Sequence, residues 1–195
     1  MSWQKEPATA SAASGDAGNG WLPPLAFRAA TPADAGAIVA LVESAYRGHV
    51  SRAGWTTEAD LLDGRRTNPD DVLAHIARPR SQVLLAFRGD ALVACAHVAV
   101  EDGAGYFGMF SVVPTLQRSG LGKAMMAEAE RIARDDYGML VMRMTVIDVR
   151  DELIAWYERR GYRRTGLKKP FPYGDERFGI PLRDDLRFEV LEKTL

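Results

Sequence analysis

Apolar positions recur along the chain with helical and strand periods, and these periods lay out the elements before any motif is considered. Leu25 to Ala30 reads as a first strand, and Thr31-Pro-Ala-Asp34 as a helix start, with Thr31 placed to cap, Pro32 in the first turn and Asp34 facing the dipole. Ile38, Val39, Val42 and Tyr46 then follow at helical spacing. Arg47 to Thr67 is irregular, broken by Gly48, Gly54 and Gly64, with a short helix expected over Thr57 to Leu62. Asn68-Pro-Asp-Asp71 starts another helix, which carries Val72, Leu73 and Ile76 and stops at Pro79. Val83 to Phe87 and Ala91 to Val100 are β-prone runs separated by the hairpin signal Arg88-Gly-Asp90. With Phe107 to Val113 they predict an antiparallel meander. Leu121, Met125, Ala129 and Ile132 mark a helix that Gly138 is placed to end, and Leu140 to Ile147 is the strand after it. Strand, glycine turn, helix and strand in succession make a βαβ unit with parallel strands.

Asp148 or Asp151 is placed to cap the next helix, where Leu153, Trp156 and Tyr157 share a face until Gly161. Tyr162 to Thr165 and Leu186 to Val190 read as the last strands. Between them, Lys168 to Asp185 is rich in Pro, Gly and aromatics and long enough to act as a lid or substrate wall.

Composition narrows the class. At 195 residues, with 47% apolar and 26% charged, the chain fits one soluble α/β domain with a sizeable core. A net charge of −1 gives no global field for nucleic acid. The single Cys95 sits in the apolar run Leu92-Val-Ala-Cys-Ala and reads as a small buried hydrophobe, so no disulfide framework hints at secretion. Residues 1–20 are rich in Ala, Ser and Gly without the apolar core of a signal peptide, and read as a disordered leader to a domain over 21–195. No run approaches the ~18 apolar residues of a membrane span, so a cytoplasmic protein without membrane contact is expected.

The chemistry concentrates in Met109-Phe-Ser-Val-Val-Pro-Thr-Leu-Gln-Arg-Ser-Gly-Leu-Gly-Lys123. An apolar strand stops at Pro114 and a helix opens through two glycines, with Arg118 and Lys123 beside the opening. Free N–H groups, a positive dipole end and glycines without Cβ atoms make this an anion-binding layout, suited to a pyrophosphate. It is not a Walker A loop: Gly122-Lys123 is followed by Ala124, and Gln117 occupies the first glycine position. Nor is it the dinucleotide fingerprint, since Met125 stands where the third glycine belongs. A plain tight turn with two glycines is the competing reading.

Gln117-Arg-Ser-Gly-Leu-Gly122 nevertheless matches the Q/R-x-x-G-x-G/A signature of the GNAT superfamily of acyl-CoA-dependent N-acetyltransferases. Phe110-Ser-Val-Val-Pro114 resembles that family's fourth strand, and Ala155-Trp-Tyr-Glu-Arg-Arg-Gly-Tyr162 resembles its helix-end pattern, a Tyr four residues before Gly-Phe or Gly-Tyr. The resemblance spans roughly residues 25 to 195. It implies a single-domain mixed sheet of about seven strands with flanking helices. It also implies acetyl-CoA as cosubstrate, no metal, and an acceptor that is a small-molecule amine or a peptide. Dimerisation is common in the family, and no feature of this chain points to its interface.

Carried onto this sequence, the resemblance puts Gln117, Arg118, Ser119, Gly120, Leu121, Gly122 and Lys123 around the pyrophosphate. It puts the main chains of Phe110, Ser111, Val112 and Val113 along the pantetheine arm, in an opening where two strands splay. Tyr157 resembles the family's thiolate-protonating tyrosine; a phenol with pKa near ~10 stays protonated at neutral pH and can donate to a thiolate whose own pKa is near ~8.5. Where many members carry a carrier-holding Asn seven residues before this Tyr, the chain has Arg150, which either binds the carrier or salt-bridges a carboxylate such as Glu152 or Glu158.

Glu101, Asp102, Tyr106 and Asp148 are candidates for the base, and His97 reads as a core residue instead. Glu43, Glu58, Asp60, Asp63 and His75 are candidates for acceptor contact, with a solvated helix face as the alternative. Phe171, Tyr173 and Phe178 suggest a partly apolar acceptor wall, and the acidic residues nearby suit a cation. A non-catalytic acyl-CoA-binding domain and a transferase using succinyl- or propionyl-CoA remain as alternatives.

Overall fold

The computed structural model describes residues 23–195, so the leader expected over 1–20 and the domain start at Trp21 lie outside the described residues. In chain order the elements are β1 (Leu25–Ala29), a 3₁₀ turn (Pro32–Asp34), α1 (Ala35–Tyr46), α2 (Gly48–Ser51), β2 (Leu62–Asp63) and α3 (Pro69–Ala77). The meander follows as β3 (Ser81–Arg88), β4 (Ala91–Glu101) and β5 (Ala104–Val112). After a 3₁₀ turn (Pro114–Leu116) come α4 (Leu121–Arg131), a π-helical turn (Ile132–Asp136), β6 (Val141–Ile147) and α5 (Asp151–Glu158). The chain closes with β7 (Arg163–Pro170), β8 (Ile180–Pro181) and β9 (Arg187–Thr194). Seven strands form one mixed sheet in the order β1-β3-β4-β5-β6-β9-β7, and β2 pairs with β8 on its own.

The continuous apolar runs of β3 and β4 follow from burial on both faces of the sheet. Leu84, Ala86, Ala94, Ala96 and Val98 pack with Met125, Ala129 and Ile154 of α4 and α5. On the opposite face, Val83, Leu85 and Cys95 pack with Ile38, Val42 and Val72 of α1 and α3. Cys95 is fully buried, and burial pushes its thiol up to about 12, as suits a packed hydrophobe.

The meander ends in an irregularity that positions everything after it. Opposite Cys95 and His97, β5 carries one extra residue, and Met109 there has φ +47°. Phe107 therefore packs on the α4 face, Met109 on the α1 face, and Phe110 and Val112 on the α4 face again. β6 is parallel to β5 but pairs with it only at Gly105–Met142 and Tyr106–Arg143. Beyond Tyr106 the two strands part, which leaves the wedge that the splayed-strand expectation requires.

Several local expectations needed correction. Thr31 is the N-cap as expected, but of the short 3₁₀ turn, in a capping box whose Asp34 carboxylate accepts from Thr31 N–H (2.7 Å) and Oγ1–H (2.9 Å) while paired with Arg28. Thr57 to Leu62 is a turn, with Leu61 and Leu62 N–H both donating to the Glu58 carbonyl, because so short a run cannot repay helix nucleation. Neither Asp148 nor Asp151 caps α5, whose N-cap is Arg150 without a side-chain bond. Asp148 is drawn instead to Lys168 (2.8 Å) and Arg187 (3.2 Å) across the sheet end. That pairing lies where β7 runs on to Pro170, so the expected lid shrinks to residues 171–186 and contains β8.

His97 is buried in β4, bonded to Ser81 Oγ at 2.8 Å and 4.0 Å from the His75 ring. Burial, with His75 and Arg78 nearby, depresses it from 6.5 to about 3, so it folds neutral. The stability this contributes is complete above pH 6.5 and drains as pH falls toward 3. In His97→Gln, urea unfolding should lose a few kcal/mol less between pH 7 and pH 4 than in the wild type.

Candidate functional site

The glycine turn folds as a helix start left deliberately bare. Gly120, the N-cap of α4, has φ +87°, a conformation that costs glycine nothing and other residues strain. No side chain caps the helix, and its first turn holds no acid but does hold Lys123. The N–H groups of Leu121, Gly122 and Lys123 thus meet no acceptor within the helix, and a cation sits where the dipole disfavours it. Ordinary sequence design would place Asp or Glu here. The side chains of the turn brace it: Ser119 Oγ donates to Leu116 O (2.6 Å), and Gln117 Oε1 accepts from Trp55 N–H (2.9 Å).

This mouth opens on a cavity of about 430 Å³. Its charged lining is Arg118, Lys123, Arg150, Arg159 and Arg160, five cations with no carboxylate among them. Its apolar wall is Trp55, Phe110 and Trp156, with Trp156 6.2 Å from Phe110 and 6.4 Å from Trp55 between ring centroids. The Arg160 guanidinium lies 3.5 Å over the Trp156 ring. Gly122 keeps this wall close to the helix, since a Cβ there would meet Phe110 and Trp156 ring carbons at 3.3 Å.

A second, smaller chamber of about 140 Å³ lies in the wedge between β5 and β6. Tyr46, Phe110, Arg150, Leu153 and Tyr157 belong to both linings, so the chambers meet there. Tyr157 is buried, edge-on to Trp156 at 5.1 Å, and burial raises its phenol well above the ordinary range. Tyr46 donates its hydroxyl to Phe110 O at 2.8 Å and is itself pushed up to about 12 by burial. Tyr106 also lines the small chamber, its hydroxyl lying over Gly108 where any Cβ would collide.

Glu58 ties the irregular stretch to α5. It accepts from Arg47 (2.9 Å) and from Arg150 (2.7 Å), and Arg150 also donates to Thr56 Oγ1 (2.8 Å). Burial alone would raise the Glu58 carboxyl, but Arg150, Arg66 and Arg47 hold it below the usual carboxylate range. Arg150 therefore pairs with Glu58 and not with Glu152 or Glu158. Glu58→Gln keeps the shape and strands two buried guanidiniums, and should cost about 3–5 kcal/mol in urea unfolding.

The remaining sequence candidates sort by position. Arg118, Gly120, Gly122, Lys123, Gln117, Phe110, Val112, Arg150 and Tyr157 line the large cavity, whereas Ser111 and Leu121 are buried in the core and Val113 donates its N–H to Val93 O. Among the candidate bases, only Tyr106 lines a chamber; Glu101 pairs with Arg78 and Asp148 with Lys168. Among the acceptor candidates, only Glu58 does. Asp60 pairs with exposed Arg52, Glu43 accepts from the N–H groups of Arg66 and Thr67, and His75 stacks on His97. Phe178 reaches the small chamber, while Phe171 packs with Leu62 and Ile147, and Tyr173 holds Leu186 N–H.

Sequence reasoning missed Tyr46, Trp55, Arg66, Arg159 and Arg160 as lining residues. The one available signal was the paired basic Arg159-Arg160 just before Gly161. Among the described residues no cluster suited to a metal ion occurs, and no helix is long and apolar enough to cross a membrane.

The profile of the acetyltransferase (GNAT) family matches residues 39–162. No curated protein matches the chain in sequence. Among solved structures, the ribosomal-protein-S18-alanine N-acetyltransferase of Escherichia coli superposes with a TM-score of 0.63 at 14% identity, over 88% of this chain and 94% of that one. The nourseothricin acetyltransferase superposes with a TM-score of 0.60 at 20% identity, over 87% and 98%. A putative streptothricin acetyltransferase of Bacillus anthracis, solved with acetyl coenzyme A, superposes at 0.53 and 15% identity over 64% and 68%. These likenesses establish the same fold.

Proposed function

The chain belongs to the acetyltransferase (GNAT) family and is an acyltransferase, and from that premise we propose that it moves an acetyl group from acetyl-coenzyme A to a primary amine. The observation that supports this reading best is the bare start of α4 opening on Arg118, Lys123, Arg159 and Arg160, four cations with no ion-pair partner among the described residues. A phosphate-rich carrier satisfies both the free N–H groups and the uncompensated charge. Acetyl-coenzyme A supplies the thioester. Everything else falls to this chain's residues.

In this reading the N–H groups of Leu121, Gly122 and Lys123 hold the pyrophosphate, with Arg118 and Lys123 adding charge-assisted bonds. Arg159 and Arg160, at the far end of α5, suit the carrier's remaining phosphate. Trp55, Phe110 and Trp156 shelter the acyl arm from water, and the junction of the two chambers is where sulfur and amine meet. Tyr157 lines that junction and gives its proton to the departing sulfur, and the proton lost by the acylated amine restores the phenol; burial raises the phenol, so it is neutral when the thioester arrives. Burial likewise raises Tyr106, which suits a hydrogen bond to the amine better than removal of its proton. With both chambers lined by fixed groups, much of the rate comes from alignment.

Free thiol released from acetyl-CoA, followed with a panel of amines, tests the proposal. Release that depends on an added amine is the expected result. Tight coenzyme A binding with no amine-dependent release would favour a non-catalytic acyl-CoA-binding domain.

A further inference from the structure

The smaller chamber carries more positive charge than its own acid can balance. Its lining contains Arg66, Arg150 and Glu58. Glu58 accepts from Arg150 at 2.7 Å and from Arg47 at 2.9 Å, so its single negative charge is already shared by two directly bonded guanidiniums. Arg66 is left. Its guanidinium lies over the Tyr46 ring at 5.1 Å and makes no ion pair or hydrogen bond with any described residue. Glu43 is occupied by the main-chain N–H groups of Arg66 and Thr67 at 2.7 and 3.0 Å.

Glu58 acts on this guanidinium only at a distance; a half-buried fork of donors with no directly bonded partner is costly to maintain, and it fits an oxyanion well. The position of this one is informative. It belongs to the lining of the chamber that reaches Tyr157 and Phe110, away from the five cations of the larger cavity apart from shared Arg150. Of the acidic residues that seemed to suit a cationic acceptor, only Glu58 lines the chamber; Asp60 pairs with Arg52, Asp175 with Arg177, and Asp185 with Arg183.

We propose that the acceptor is a small amine bearing an oxyanion, such as an amino acid with a free carboxylate, and that Arg66 holds that oxyanion while the amine points to the chamber junction. The volume of about 140 Å³ is below the ~300–1,000 Å³ of drug-sized sites, which favours an amino-acid-sized guest. The acidic end of a peptide shares this chemistry. This inference rests on the acetyltransferase reading above.

Matched pairs of amino acids and their carboxamides separate the possibilities, because each pair differs at the oxyanion alone. Thiol release and calorimetry on protein saturated with coenzyme A are the readouts, for the wild type and for Arg66→Gln and Arg66→Lys. The carboxylate member should be preferred in kcat/KM, and R66Q should lower kcat/KM for it at least about tenfold more than for the carboxamide, mostly through KM. R66K should recover part of that difference. Acidic peptides in place of free amino acids as the accepted class would reassign the source of the oxyanion. A preference for carboxamides or diamines, an equal effect of R66Q on both members, or absence of both turnover and binding for every carboxylate would overturn the proposal. Loss of coenzyme A binding in the wild type would instead count against the acetyltransferase reading itself.

Discussion

Arg118→Glu combined with Lys123→Glu should weaken coenzyme A binding at least about a thousandfold while leaving the fold as stable as before, or more so. Each cation is placed to make a charge-assisted bond, worth about 1.5–3 kcal/mol, and each reversal adds repulsion toward the pyrophosphate. On stability the same change has the opposite sign. Lys123 sits in the first turn of a helix that has no acid there and no capping side chain. A glutamate at that position opposes the dipole correctly and should contribute about 0.3–1 kcal/mol to folding. Calorimetric titration and urea unfolding of one variant therefore test whether the bare helix start serves a ligand or is a defect of the fold. Parallel loss of binding and stability would mean that the two residues support structure.

Tyr157→Phe should lower kcat by a factor of about 10² to 10⁴ and leave coenzyme A affinity within about threefold. The residue packs edge-on against Trp156 and Tyr162, and phenylalanine preserves that packing. What it removes is a hydroxyl at the junction of the two chambers. Because a thiolate with pKa near ~8.5 leaves more easily as its thiol becomes more acidic, the defect should shrink for a carrier with a more acidic thiol. A loss of the same size for every leaving group would make Tyr157 a packing residue.

How far the sequence reaches is set by how local each determinant is. The turn from β5 into α4 was legible because a glycine-opened helix start is written in consecutive residues, Gln117 to Lys123, and the place of Tyr157 on α5 because Gly161 marks the end of that helix. The meander and the βαβ unit were legible from period. The small chamber was not. Arg66 comes from an irregular stretch without period, Tyr46 reads as one more position of a helical stripe, and Glu58 meets Arg150 across 92 residues of chain. Nothing local distinguishes Glu58 from Asp60, yet one is the buried hub of an ion network and the other an exposed partner of Arg52. The two-residue strands β2 and β8 fall below any pattern, and the shortened lid depends on Lys168 finding Asp148 in three dimensions. The bulge at Met109 was not legible, since its backbone conformation leaves no mark on residue type.

Comparative calorimetry of coenzyme A and pantetheine on the wild-type protein tests the central claim most directly, because the two ligands share the thiol arm and differ in the phosphate-bearing part. Coenzyme A should bind at least about a hundredfold tighter, with an affinity that falls as salt is raised. Equal affinity for the two, independent of salt, would mean that the mouth of α4 and its cations do not hold the carrier.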